Sequence, residues 1–181
     1  GGKRLLDGSM GVNGTAVGNY LRFVSAEATA STSPEQGWKV DIQQVATRAK
    51  KTGSIAININ NIRNGLQIVL NEGGRNLNLN TKDGRLGQEI EQLIKNADQD
   101  RLLFPQAEIS SQIRELIIFA LSQAAEESGL DLYIAETPDN KLLVRHNKFG
   151  DSASFSVTSS VAGILSDDAN IAQKSESGIN I

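Results

Sequence analysis

Residues 109–147 read ISSQIRELIIFALSQAAEESGLDLYIAETPDNKLLVRHN, and the period of the apolar residues changes inside that stretch. Ile109, Ile113, Leu116, Ile117, Ala120, Leu121 and Ala124 recur at the spacing that lines one side of an α-helix. Gln112, Arg114, Glu115, Gln123, Glu126 and Glu127 fall mostly on the other side. Pro105 suits the start of this helix, and Gly129 its stop, because glycine adopts the left-handed conformation that ends helices. Burying about seven such side chains at ~1.5 to 3 kcal/mol each supplies ~10 to 20 kcal/mol before entropy is subtracted, so the helix must dock. The sheet-forming residues after it are its partner. LDLYIAE (130–136), a turn at TPDN, KLLVRHN (141–147), a turn at KFGD and SASFSV (152–157) alternate as three strands.

Working outward toward the N-terminus, Leu86, Ile90, Leu93, Ile94 and Ala97 predict a first helix near 84–97. Before it, SIAININ (54–60, with Ile55, Ile57 and Ile59 on one face), GLQIVL (65–70) and NLNLN (76–80) read as strands with one buried and one wet face. NIRNG (61–65) and NEGG (71–74) are the turns between them. Tyr20–Ser25 and Trp38–Ile42 also alternate, around a small-residue loop that closes on Pro34 and Gly37. The glycine-dense residues 1–18 read as a connector, and Val161–Ile181 as short turns or a returning strand. The expected fold class is α+β, with antiparallel strands and two amphipathic helices packed on the sheet.

Composition narrows the function. The 18 basic and 21 acidic residues of this 181-residue chain are interspersed, giving a net charge of -3 and no basic stripe of the kind a nucleic-acid groove needs. No run of 18 apolar residues exists, so no membrane-spanning helix is expected. A charged start followed by an apolar core is also lacking, so export would use another route or a signal outside this sequence. Cysteine is absent, which excludes disulfides, thiolate metal sites and cysteine nucleophiles together.

The residue types that carry chemistry do not converge. His146 is the single histidine, which excludes multi-histidine metal sites. GDSAS (150–154) approaches a nucleophile elbow but ends in serine where glycine is required, so a hydrolase using Ser152 and His146 lacks its motif. On that reading His146 is an exposed strand histidine. NADQD (96–100) imitates the start of a calcium loop, yet Arg101 and Ala107 occupy the turn-glycine and bidentate-glutamate positions, leaving a solvated helix end. Asp167-Asp168 reads as a solvated pair, Gly1-Gly2 and Gly73-Gly74 as turns, and Asn13 as a formal N-glycan acceptor. The Ser/Thr-rich 25–33 loop could accept O-linked sugar. No catalytic, cofactor-binding or metal residues are assigned.

Two stretches resemble bacterial flagellins. Gly2, Lys3, Leu5, Leu6, Asp7 and Gly8 match the segment that follows the N-terminal coiled-coil helices of that family. Gln112 to Ser160 resembles the flagellin hook IN motif, with Leu116–Ala124 as its helix, Asn140–Val144 as its second strand and Gly150–Val157 as its third. The helix departs from the pattern, having IIFALSQAA where the family prefers an alanine-asparagine ending. The end, AQKSESGINI, resembles the approach to a T-I-N-G-E sequence that is absent here. Together these matches cover about a third of the chain.

The resemblance implies a structural protein, the outer domain of a filament subunit, exported by the flagellar secretion apparatus and extracellular. It implies a connector from the filament core (1–18), an outer domain (19–160, divided at 104/105 into variable strands plus helix and the IN-like unit) and a returning connector (161–181). Neighbouring flagellin subunits are the expected partners, with sheath, glycan or host-surface contacts in addition; neither nucleic acid nor membrane is expected, and no cofactor. Alternatives are a filament cap or hook–filament junction protein and a carbohydrate- or host-binding adhesin module. The two ends of the chain are expected to lie together at the base of the domain.

Overall fold

The computed structural model describes residues 44–180. The chain divides into two compact units, Gly1–Val45 and Ala46–Ile181, and the described helices and strands all belong to the second. The connector at 1–18, the strands expected at 20–25 and 38–42, Asn13 and the 25–33 loop lie outside the described residues.

The long helix forms as its period demands. It runs Gln106–Glu127 (α3), with Pro105 at its N-cap, and Ile109, Ile113, Ile117, Leu121 and Ala125 make its buried line. Its end is a Schellman motif: Gly129 sits at φ +68°, Gly129 N–H donates to Glu126 O, and Leu130 N–H donates to Ala125 O. The earlier helix, Gly84–Gln99 (α2), buries Ile90, Ile94 and Ala97 and packs beside α3. One expectation fails on this face. Arg114 is buried, because its guanidinium Nε reaches Glu136 Oε1 at 2.7 Å and Nη1 reaches the Ile57 carbonyl at 3.1 Å.

The fold is α+β, and its strands form two antiparallel sheets. One is ordered β1-β5-β4, from Arg48–Ala56, Lys141–Phe149 and Leu132–Glu136. The other is ordered β3-β2-β6-β7, from Arg75–Asn80, Gln67–Glu72, Phe155–Ser159 and Gln173–Lys174. Helix α3 contacts β4 of the first and β3 of the second, so one apolar core is shared by both sheets and both long helices. The three strands after α3 therefore do not form a single sheet. β4 and β5 pair, but the chain turns at Gly150 (φ +96°) and β6 joins β2, with Leu70 opposite Val157.

The strand expected at 54–60 is also corrected. β1 ends at Ala56, and Ile59–Ile62 form a single helical turn (α1). The asparagines end the ladder: Asn58 Oδ1 accepts the Asn60 and Asn61 amides, and Asn61 donates to the Ala56 carbonyl at 2.7 Å. Short polar side chains offer the backbone this alternative to a sheet. Ile57, Ile59 and Ile62 are buried while Ile55 is 41% exposed, so the three isoleucines of SIAININ do not share one face.

Candidate functional site

Backbone hydrogen bonds join the residues around β1 to the described residues of the C-terminal segment. Thr47 N–H donates to Ile179 O at 3.0 Å and Ile179 N–H returns to Thr47 O at 3.2 Å. Lys50 and Glu176 exchange a second pair, at 3.3 and 2.8 Å. Gly178 sits inside this junction because a Cβ there would overlap the Gly150 and Thr47 carbonyls. The first and last described residues of the unit thus lie side by side. Between β6 and β7, neighbours in one sheet, residues 160–169 reach across to β1 of the other sheet and return. Ile164 and Leu165 are fully buried, and Ser159 and Ser166, also fully buried, tie the turn together at 2.9 Å from Ser159 N–H to Ser166 Oγ. Gly163 O accepts from both Ser54 and Ile55 amides, which fixes this segment to β1.

His146 is buried at 2% exposure, which corrects the expectation of an exposed strand residue. It continues the buried face of β5, alternating with Leu142 and Val144. His146 Nδ1 accepts the Lys148 amide at 3.0 Å, so in the neutral ring Nε2 carries the proton and faces Glu72 Oε1 at 3.3 Å. Glu72 Oε2 accepts the Asp131 amide at 3.3 Å. Glu72 belongs to β2, whereas His146 and Asp131 belong to and flank the other sheet, so this carboxylate links the two sheets. The cleft beside it is lined by Ser152 and Ser154 as well. Both ring nitrogens are already engaged, and among the described residues no hydrogen bond joins His146 to either serine. A serine nucleophile needs a ring nitrogen free to take its proton. Here the ring has none to offer.

The acidic candidates serve the fold. Asp98, at the end of α2, holds Arg63 through two contacts of 2.7 and 3.0 Å. The Arg63 hydrogen bond lowers the Asp98 carboxyl below its ordinary value. Asp100 Oδ1 accepts the Leu102 and Leu103 amides, both at 3.0 Å. Asp167 holds a cation supplied by the chain itself: Lys51, 8% exposed, reaches Asp167 Oδ1 at 2.9 Å and lowers that carboxyl's pKa. Among the described residues no group of three or more histidine, aspartate or glutamate side chains could hold a metal ion.

Two surfaces went unseen in the sequence. On the solvent face of β1-β5-β4, Arg48, Lys50, Arg145, Tyr133 and Phe149 come together through the register Lys50–Arg145–Tyr133 and Arg48–Phe149. The signal was the RAKK run at 48–51, which reads as four solvated residues until β1 is recognised as a strand. The second is an open groove of about 550 Å³ between α2 and α3, with Leu93, Leu116 and the 69%-exposed Phe119 along it and Glu89 and Glu115 at its rim. Leu116 carries the helical period but lies half-buried beside this groove.

No helix among the described residues is long and apolar enough to cross a membrane. No protein-family model, curated protein or solved structure matches this chain.

Proposed function

We propose that the chain is a structural, surface-exposed outer part of a bacterial flagellar filament subunit, contributing to filament assembly and motility without a catalytic step of its own. The observation that carries the proposal is the Thr47–Ile179 bridge, which sets the two ends of the Ala46–Ile181 unit side by side. A folded lobe attached that way can extend from a polymer-forming element without interrupting it, because chain termini that lie close together permit insertion. The lobe is stiff at its root, since the returning chain is hydrogen-bonded to β1 at Lys50, Ser54 and Ile55 as well. Resemblance of Gly2–Gly8 and Gln112–Ser160 to flagellins supplies the rest of the reading. On this reading the protein is exported and extracellular, and its partners are neighbouring subunits.

Immunogold labelling of cells that make the full chain tests this, with antibody raised against residues 46–180. Label along the whole flagellar filament is the expected result. Label only at the filament tip, or only where hook meets filament, would replace the reading by a cap or junction protein. Label confined to the cell interior would overturn it.

A further inference from the structure

The exposed face of the β1-β5-β4 sheet gathers three cations against a single carboxylate among the described residues lining its cleft. Lys50 stands directly opposite Arg145 in the β1–β5 pair, and like charges in that position destabilise a sheet. Arg48 lies two residues away on the same face of β1, and all three cations line one cleft with Phe149, Glu176 and Ile179. Glu176 is the single carboxylate among the described residues lining it, 3.9 Å from Lys50 and largely exposed. In a chain of net charge -3 this is a local concentration of positive charge.

The guanidinium groups are also held in place. Arg48 stacks on Phe149 at 3.8 Å from the ring centre, while its Nε donates to the Asn147 carbonyl at 3.0 Å. Arg145 stacks on Tyr133 at 4.7 Å. A guanidinium lying over a ring keeps its N–H edge available for a planar or tetrahedral oxyanion. The Arg145 Nε is shielded from solvent, yet among the described residues it has no acceptor. Buried donors in folded proteins almost always have one.

We propose that this cleft binds an oxyanion, a carboxylate or a phosphate or sulfate ester at the end of a ligand. Arg145 donates through its terminal nitrogens, Lys50 neutralises the charge, and Phe149 and Ile179 contact the carrier of the anion. The cleft, about 430 Å³, suits one small group rather than a polymer track. Arg48 already occupies one face of Phe149 and Arg145 one face of Tyr133, which leaves fewer ring faces for stacked bases. The site does not depend on the flagellar reading.

The test is NMR of the arginine Nε–H signals in the full chain, titrated with sodium phosphate, sodium sulfate or sodium acetate against sodium chloride at equal ionic strength. Saturable movement of the Arg145 and Arg48 signals, with Arg63 and Arg85 unmoved, is expected. Saturation by phosphate or sulfate assigns a tetrahedral ester, and saturation by acetate a carboxylate. Arg145→Gln should weaken binding by about tenfold, and Arg145→Lys by less, because lysine keeps the charge and loses the fork. If Arg145→Gln fails to fold, the exposed Lys50→Gln carries the test with an expected loss of about threefold. Equal, unsaturated shifts in every salt, or unchanged binding in a folded Arg145→Gln or Lys50→Gln variant, would overturn the site.

Discussion

The α3–β4–β5 region and the β1–tail region are built in opposite ways. In the first, a helix, a Schellman stop and a hairpin come one after another, and each element packs on its neighbour in sequence: α3 contacts β4, and β4 pairs β5 through a turn whose Asn140 takes φ +64°. In the second, β1 is held by residues about a hundred positions away, through Ser54 to Gly163, Lys51 to Asp167 and Thr47 to Ile179. The buried positions of β1 are Ala49, Lys51 and Gly53, shaped by what packs on them. Gly53 is required because a Cβ would overlap the Ile164 carbonyl, and Lys51 is matched to Asp167. Local contacts leave a period in the sequence, whereas distant ones leave small or charged residues that look unstructured.

Breaking the local region should cost most. Leu121→Ala removes a fully buried side chain from the centre of α3, and a loss of about 3 kcal/mol is expected in denaturant unfolding with an unchanged slope. Gly53→Ala attacks the distant region by driving a methyl into the backbone of Ile164, at an expected cost of about 1 to 3 kcal/mol. A negligible cost would mean that the 160–169 segment does not pack on β1. Between the sheets, His146→Gln should cost about 1 to 2 kcal/mol by loosening the Glu72 link and the Lys148 cap.

The smallest effect is electrostatic. Lys141, then Thr137, hold the Asp139 carboxyl in the β4–β5 turn down to about 2. Its folded value lies below its unfolded one, so the stabilisation is complete above the unfolded value of roughly 3.9 and is lost as pH falls through about 2. Asp98 and Asp167 shift in the same direction, through Arg63 and Lys51 respectively. All three are exposed at the surface, so Asp139→Asn should flatten the acid limb of the stability curve only slightly, and less in high salt.

The two long helices, the Gly129 stop and the two-residue turn at Gly73-Gly74 were legible because each depends on its own few residues. The two-sheet topology was not. Nothing in SASFSV announces that β6 pairs with β2 rather than β5, since alternation fixes which face is buried and not which strand lies alongside. The asparagines of ININNIRN were read for polarity, although their decisive property is competition with the backbone ladder. His146 appeared exposed because Arg145 and Asn147 flank it in sequence, although it shares the buried face of Leu142 and Val144 and its partner Glu72 is 74 residues away. The cationic face needed the register of β1, which distant contacts alone define.

That the two ends of the unit lie side by side is tested most directly by a paired substitution, Thr47→Cys with Ile179→Cys, in a chain that has no cysteine of its own. A hydrogen-bonded antiparallel pair places its Cα atoms about 5.5 Å apart, within disulfide reach. Mild oxidation of dilute protein, followed by mass analysis of a digest, should yield an intramolecular disulfide between the two substituted positions in a folded monomer. Free thiols, or cross-links only between chains, would contradict the shared junction.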